Sequence, residues 1–342
     1  MYFELLAETQ NAITAGGINP ARWHWLDHAS RLRSGVRTPQ ELTTQRSRFL
    51  ITHALDLQGV TQAEALEDPK KAKGSAKSMP CETHQLSQAG LLTSAPSLEY
   101  LPEHSASITL RFQLLTPLLT RDDDAFYLFD NPVRKDPIFG VPYVAASSIK
   151  GLAADAFQRG FPAENWSELG DNDQIRTQCY RRDNTVAKRL FGLASDDMEA
   201  FPSEGGRLHC SPVWFSYVQF LVMNPTKDDG SGIGSHPIQF EAIAPTNAQG
   251  RPVEADLHLL YFNPAGAPDS DITTVHHDIA LLIGALATWW PTLGLGAKRL
   301  AGYGAIKPLS AQCQFKGAAQ STRLSGEDSW MKLAQRIAAG SV

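Results

Sequence analysis

The sequence predicts an α+β fold, and three observations carry that prediction. Ile108, Leu110, Phe112 and Leu114 alternate with Thr109, Arg111 and Gln113, the two-residue period of a half-buried strand. From Ser147 the period changes. Ile149, Leu152, Ala153, Ala156 and Phe157 fall at i, i+3, i+4, i+7 and i+8, the stripe of a helix packed on one face. A second apolar helix is expected from about Thr273 to Trp290, with Ile279, Leu282, Ile283, Leu286 and Trp290 along one side.

Taken in chain order, residues 1–65 read as a helical N-terminal region. Phe3, Leu5, Leu6, Ala12 and Ile13 give one loose apolar face, and Phe49, Leu50, Ile51, Ala54 and Leu55 give another. Between them Arg22, Arg31, Arg33, Arg37, Arg46 and Arg48 stand against Asp27 and Glu41, interleaved with Trp23 and Trp25. This reads as a solvated helical face over a small core, the alternative being a basic surface for RNA or an acidic partner. Residues 66–104 are rich in Lys, Ser, Ala, Gly and Pro and are expected to be a flexible connection.

The core is expected over residues 105–310. Its first helix follows Ser147 or Ser148 as N-cap. Strands are expected within Leu208–Val222 and Ala255–Phe262, and a short last strand around Tyr303–Lys307. The order strand, helix, two strands, helix, strand is the ferredoxin-like, RRM-like arrangement, here with long insertions at 160–205 and 223–250. Residues 311–342 read as a C-terminal tail with a short helix.

Composition narrows the function classes. The chain has 342 residues, 42% hydrophobic, enough for one large domain or two ordinary ones. Its net charge is −5 and its pI about 6.1, so any affinity for nucleic acid must come from local patches or partner subunits. No apolar run long enough to span a bilayer and no signal-like start is found, which makes a cytoplasmic protein with no membrane partner the expectation. Cys81, Cys179, Cys210 and Cys313 are scattered without a C-x-x-C pair, which argues against zinc and a disulfide framework. There is no H-E-x-x-H, no G-x-x-x-x-G-K-[ST] and no G-x-S-x-G, and no metal-ligand set is assigned.

Two segments stand out instead. One runs from Asp130-Asn131-Pro132-Val133-Arg134-Lys135 through Gly140-Val141-Pro142-Tyr143-Val144-Ala145-Ala146-Ser147-Ser148-Ile149-Lys150-Gly151. The other is Gly294-Leu295-Gly296-Ala297-Lys298-Arg299-Leu300-Ala301-Gly302-Tyr303-Gly304. Each sets small residues, hydroxyls and cations where the chain enters or leaves regular structure, and such turns present backbone N–H groups and positive charge to phosphate. The bland alternatives are a capped helix with Lys150 in solvent, and a glycine turn that lets a helix pack closely on a sheet.

With these residues the chain resembles the RAMP superfamily of CRISPR type III effector complexes. The usual pattern there is Gly, any residue, Pro-Tyr-Ile-Pro-Gly-Ser-Ser, an apolar residue, Lys-Gly, matched by residues 140–151. Leu190-Phe191-Gly192 and the glycine segment 294–304 follow in order, so the resemblance covers roughly residues 105–308. Ala145 and Ala146 replace the usual Pro-Gly, and Leu152-Ala153-Ala154-Asp155 lacks an Arg often found after Lys-Gly. Residues 129–137 look like the repeating backbone subunit of the Csm complex. Asn224-Pro225 and residues 236–241 look more like the end-capping subunit of the Cmr complex.

The resemblance implies a ferredoxin-like core that binds guide CRISPR RNA, presents target RNA and assembles with other effector subunits. RNA contact is expected from Arg134, Lys135, Ser147, Ser148, Lys150, Gly151, Gly294, Gly296, Lys298, Arg299, Gly302, Tyr303 and Gly304. Asp130 matches the position implicated in target-RNA cleavage in the Csm-type pattern, where a carboxylate acts as base or ligates Mg²⁺ or Mn²⁺. Catalytic and structural roles for it both stay open, and no cofactor is otherwise implied. Asp122, Asp123 and Asp124 read as a solvated loop and Asp136 as a turn residue. His276 and His277 read as a helix start, although histidine is a general base in the guide-processing branch. Three further readings remain: a target-RNA endoribonuclease using Asp130, a stand-alone guide-processing nuclease, and an interaction subunit with a vestigial core.

Overall fold

The computed structural model describes residues 78–80, 94–120, 133–135, 141–164, 173–193, 204–223, 238–247 and 249–342. The expectations for residues 1–65, for most of 66–104, and for Asp122, Asp123, Asp124, Asp130 and Asp136 lie outside them. The elements are β1 (Ser78–Pro80), β2 (Ala106–Leu114), β3 (Tyr143–Val144), α1 (Ala146–Gly160), α2 (Asp173–Asp183) and α3 (Thr185–Phe191). Then follow β4 (Gly192–Leu193), β5 (Glu204–Gly205), β6 (Leu208–Cys210), β7 (Val213–Trp214), β8 (Tyr217–Met223) and β9 (Ile238–Ile243). The chain ends with β10 (Glu254–Tyr261), α4 (Ile272–Leu293), β11 (Ile306–Phe315), β12 (Thr322–Ser325) and α5 (Ser329–Ala338).

The chain divides into two compact units. The larger comprises residues 80–121, 133–217 and 242–342. Its main sheet is antiparallel, in the order β12-β11-β2-β10-β6. Without β12, the strands stand fourth, first, third, second by sequence. Two strand-helix-strand crossovers, β2-α1-β6 and β10-α4-β11, therefore interleave, each pair split by a strand of the other. That is the ferredoxin-like arrangement the sequence predicts. In the other unit (residues 1–79, 122–132 and 218–241) lies most of a three-stranded sheet in the order β1-β8-β9.

Alternation decides which face of the main sheet the helices cover. Ala106, Ile108, Leu110, Phe112 and Leu114 of β2 and Leu257, Leu259 and Tyr261 of β10 are buried toward them. Onto this face α1 lays Ile149, Ala153, Ala156 and Phe157, and α4 lays Val275, Ile279, Leu282, Ile283, Leu286 and Trp290. Each fully buried large side chain contributes about 1.5–3 kcal/mol, so this layer supplies most of the cohesion. The opposite face is polar. Arg111 is paired with Glu254 at 2.9 Å, and Thr109 lies 3.0 Å from His258.

Three boundaries differ from the sequence reading. The stretch Leu208–Val222 is not one strand but three, β6, β7 and all of β8 but its last residue. The last core strand begins at Ile306 and runs to Phe315, so the expected boundary at 310 falls inside it. Pro308 donates no ladder hydrogen bond, and the register shifts between Pro308 and Ser310, the irregularity that lets a strand carry proline. Beyond it α5 buries Trp330, Leu333, Ala334 and Ile337 as part of the same core.

Candidate nucleic-acid interface

Helix α1 starts two or three residues earlier than a serine N-cap would place it. Ala145, with φ −63° and ψ 146°, is the N-cap and brings no side-chain acceptor, so Ser147 and Ser148 lie within the first turn and are exposed. The first-turn amides have no acceptor within the helix, and the positive end of the helix dipole lies with them.

Arg134 is held beside this helix start by its backbone. Its carbonyl accepts from Tyr143 N–H at 3.0 Å, and its own N–H donates to Thr120 Oγ1 at 2.8 Å. Lys135 forms an isolated bridge with Pro142. Neighbouring side chains of extended backbone point to opposite sides. Arg134 is accordingly exposed, while Lys135 is only 8% exposed. Of the two expected cations, one faces outward.

The closing glycine segment is first of all a backbone junction. Gly294 ends α4, Leu295 N–H donates to the Gly304 carbonyl at 2.8 Å, and Ala297 N–H donates to the Leu119 carbonyl at 2.7 Å. Gly296 and Gly304 both have positive φ, and a Cβ on either would run into a backbone carbonyl oxygen, of Leu119 and Leu295 respectively. These glycines approach protein backbone, as the packing alternative supposed. Between them Lys298, with φ 55°, opens a 3-10 turn over Arg299–Ala301 that Gly302 closes. Lys298 is exposed and Tyr303 half-buried.

These segments converge on a groove of about 460 Å³. Leu119 and Thr120 line it from the segment that follows β2, and Arg134 from the strand-like segment beside β3. Tyr143 to Ala145, Ser148, Gly151, Leu152 and Asp155 come from β3 and α1, and Gly296, Ala297 and Arg299 from the glycine segment. Of the expected RNA-contacting residues, Arg134, Ser148, Gly151, Gly296 and Arg299 thus share one surface. Arg299 Nη1 stands 3.4 Å from Asp155 Oδ2, and Arg159 Nε stands 3.0 Å from Asp155 Oδ1. Arg134, Arg299 and the start of α1 bring positive charge and hydrogen-bond donors to this groove, and the Asp155 carboxylate offsets part of that charge.

Lys150 lies elsewhere. Burial holds its ammonium below the ordinary lysine value, with Cys210 raising it and Arg181 lowering it further, which sets this lysine on the flank of α1 toward β6. Arg181 in turn lies 5.7 Å over the Phe191 ring. Leu190 and Phe191 are core residues, and Gly192 caps α3, so the middle motif serves packing. His276 lies edge-on to Phe315 at 4.6 Å, inside the first turns of α4. Burial pushes the thiols of Cys210 and Cys313 up to about 12, leaving them as unreactive packing groups. Among the described residues no three His, Cys, Asp or Glu side chains are grouped to hold a metal ion, and no helix is long and apolar enough to cross a membrane.

Asp155 and Thr120 are among the groove residues that sequence reading missed. Asp155 registers there only as an absent cation, although its i+7 spacing from Ser148 puts it on the same helix face. Thr120 carries no sequence signal, since its partner is the backbone of a residue 14 positions later.

Residues 111–307 match the family model of the RAMP superfamily. The chain belongs to the RAMP superfamily. No curated protein matches its sequence. Among solved structures, this RAMP chain is similar to one in a type III-B Cmr-β complex bound to cognate target RNA. That match has 15% identity, covers 81% of each chain and has a TM-score of 0.45. A chain of the Csm3–Csm4 subcomplex in the type III-A CRISPR-Cas interference complex matches at 14% identity. It covers 69% of this chain and 95% of that one, with a TM-score of 0.34. A chain of a type IV-B CRISPR complex matches at 14% identity over 65% and 96% of the two chains, with a TM-score of 0.39. The RAMP match begins within β2 and ends within β11, so it reaches all four ferredoxin-like strands and takes in every groove residue.

Proposed function

We propose that this RAMP chain is an RNA-binding subunit of a cytoplasmic CRISPR ribonucleoprotein effector, of type III by its motifs. It would hold guide RNA, and the guide–target duplex, by the backbone. The observation that carries the reading is the convergence of Arg134, the start of α1 and Arg299 on one groove. A guide strand read by base pairing needs such phosphate ligands and no base-reading code from its protein. The net charge of −5 fits a subunit that gains affinity from neighbours in an assembly rather than from its whole surface.

The test is RNA affinity as a function of salt for the full chain, alone and co-expressed with partner effector subunits and guide RNA. Replacing Arg134 and Arg299 with Ala is expected to weaken binding. The salt dependence should flatten by about 0.7 log units per log unit of salt for each phosphate that is no longer neutralised. Unchanged affinity and slope would remove the groove from RNA binding. Replacing Asp130 with Ala in the assembled complex tests cleavage separately, and loss of one set of target cuts is expected if that carboxylate acts in catalysis.

A further inference from the structure

A groove that binds a polyanion gains nothing, on charge alone, from a carboxylate in its wall. Asp155 is such a carboxylate: it lines the groove with Arg134 and Arg299, and its side chain is 33% exposed. It lies seven residues after Ser148 on the same face of α1, about 10 Å farther along the helix. Fold stability does not account for it. Its pairs with Arg159 and Arg299 are both partly exposed, and pairs of that kind contribute little. A phosphate held by Arg299 would stand within the screening length of this carboxylate, about 8 Å at physiological salt, so the repulsion between them is felt.

What an ionised carboxylate can do in that position is accept a hydrogen bond, because it is an acceptor only. Arg299 beside it is a donor only. Arg299 Nη1 donates to Asp155 Oδ2 at 3.4 Å, and the carboxylate's remaining lone pairs and the guanidinium's remaining N–H groups give the groove an acceptor and a donor side by side. A ribonucleotide carries the complement of this pair on adjacent carbons, a 2′-hydroxyl that donates and a 3′-phosphate that accepts. DNA lacks the first of these, and the 2′-hydroxyl is what lets a protein tell the two apart.

We infer that Asp155 reads the ribose. Its carboxylate accepts the 2′-hydroxyl of a nucleotide whose 3′-phosphate is held by Arg299, and it makes the groove selective for RNA over DNA. This rests on the proposed role of the groove in RNA binding. The carboxylate weakens the grip on any phosphate chain, and the bond to the hydroxyl restores that grip for RNA alone. The Arg159 pair fixes the second carboxylate oxygen and so aims the first.

The experiment compares three single strands of one sequence (RNA, DNA and 2′-O-methyl RNA) on the full chain by fluorescence anisotropy. The proteins are wild type, Asp155→Asn, Asp155→Ala and Arg299→Ala, each checked for folding by its thermal melt. Wild type is expected to favour RNA over DNA by about tenfold or more, the strength of a hydrogen bond to a charged group, with 2′-O-methyl RNA behaving like DNA. Asp155→Ala should bring the ratio close to one while binding DNA at least as tightly as wild type. Asp155→Asn, which keeps an acceptor without charge, should fall between. Arg299→Ala should weaken all three strands.

A wild type that does not discriminate, or an Asp155→Ala protein that keeps the wild-type ratio, would overturn the inference. So would equal weakening of RNA and DNA by Asp155→Ala, since the carboxylate would then only position Arg299. If wild type bound none of the strands either alone or co-expressed with partner effector subunits, the groove reading itself would fall, and this inference with it.

Discussion

Arg189 and Asp278, 89 residues apart, form a two-pronged ion pair in which the carboxylate is fully buried. Arg189 Nε donates to Oδ2 at 2.8 Å and Nη2 to Oδ1 at 2.7 Å, while the Tyr261 hydroxyl donates to Oδ2 at 2.8 Å. The pair ties α3, in the insertion after α1, to α4 in the core. Asp278 raises the Arg189 guanidinium above its ordinary value by hydrogen bonding, and burial together with the Asp278 charge raises the Tyr261 hydroxyl.

Removing one partner should therefore cost far more than a surface pair would. Arg189→Ala is expected to lower stability by about 3–5 kcal/mol, because it leaves the fully buried Asp278 carboxylate without its cation, and Asp278→Ala by somewhat less, because Arg189 keeps its contact with Asp269 at 3.3 Å. Replacing both with apolar residues of similar size, Arg189→Met with Asp278→Leu, should cost less than either single change. Denaturant titration of the four proteins measures this directly, and additive losses would contradict the pairing.

Two glycines near the end of the glycine segment should respond differently to the same substitution. A Cβ on Gly304 would meet the Leu295 carbonyl oxygen and force apart the strands of backbone that close the junction, so Gly304→Ala is expected to cost about 3 kcal/mol or more. Gly302, also with positive φ, has open space around it. Gly302→Ala should cost only the backbone penalty, about 1–2 kcal/mol. Thermal melts of the pair distinguish them, and equal losses would mean that the close approach at Gly304 is not what the glycine serves.

Residues after 310 belong to the core, and α5 provides the measure. Trp330 is fully buried, its Nε1–H donates to the Ser310 carbonyl at 3.0 Å, and its ring stands 6.3 Å from that of Trp290. Trp330→Ala is expected to cost about 3–5 kcal/mol, and truncation after Phe315 to prevent stable folding. Near-native stability of the truncated chain would return these residues to the status of a tail.

The fold was legible wherever one period ran unbroken. In β2 every second residue from Ala106 to Leu114 is core, and in α1 four of the five predicted stripe positions are buried, the fifth, Leu152, turning to the groove wall. It was not legible across Pro308, where the alternation breaks off but a register shift carries the strand on. The site was legible in its segments and not in its side-chain directions. Arg134 and Lys135 are neighbours that extended backbone sends to opposite sides. Ser148 and Lys150 are two positions apart on a helix, about 200° around its axis, so one faces the groove and the other β6. Residue type gave the anion chemistry, while direction depended on tertiary packing that no local pattern encodes.

Acid should loosen the fold before carboxylates protonate. His276, against Phe315, is held below the ordinary histidine value first by burial and then by the charge of His104, and burial followed by the charge of Lys150 does the same to His209. With the folded values below the unfolded one, about 6.5, the unfolded chain binds more protons between them, and stability rises with pH across that window. The contribution is complete above about pH 6.5 and is lost as pH falls through the folded values. Denaturation midpoints are therefore expected to drop as pH falls below about 6.5. His276→Gln should flatten that drop, since glutamine fills similar space without titrating. A slope unchanged in His276→Gln would place the acid sensitivity on other groups.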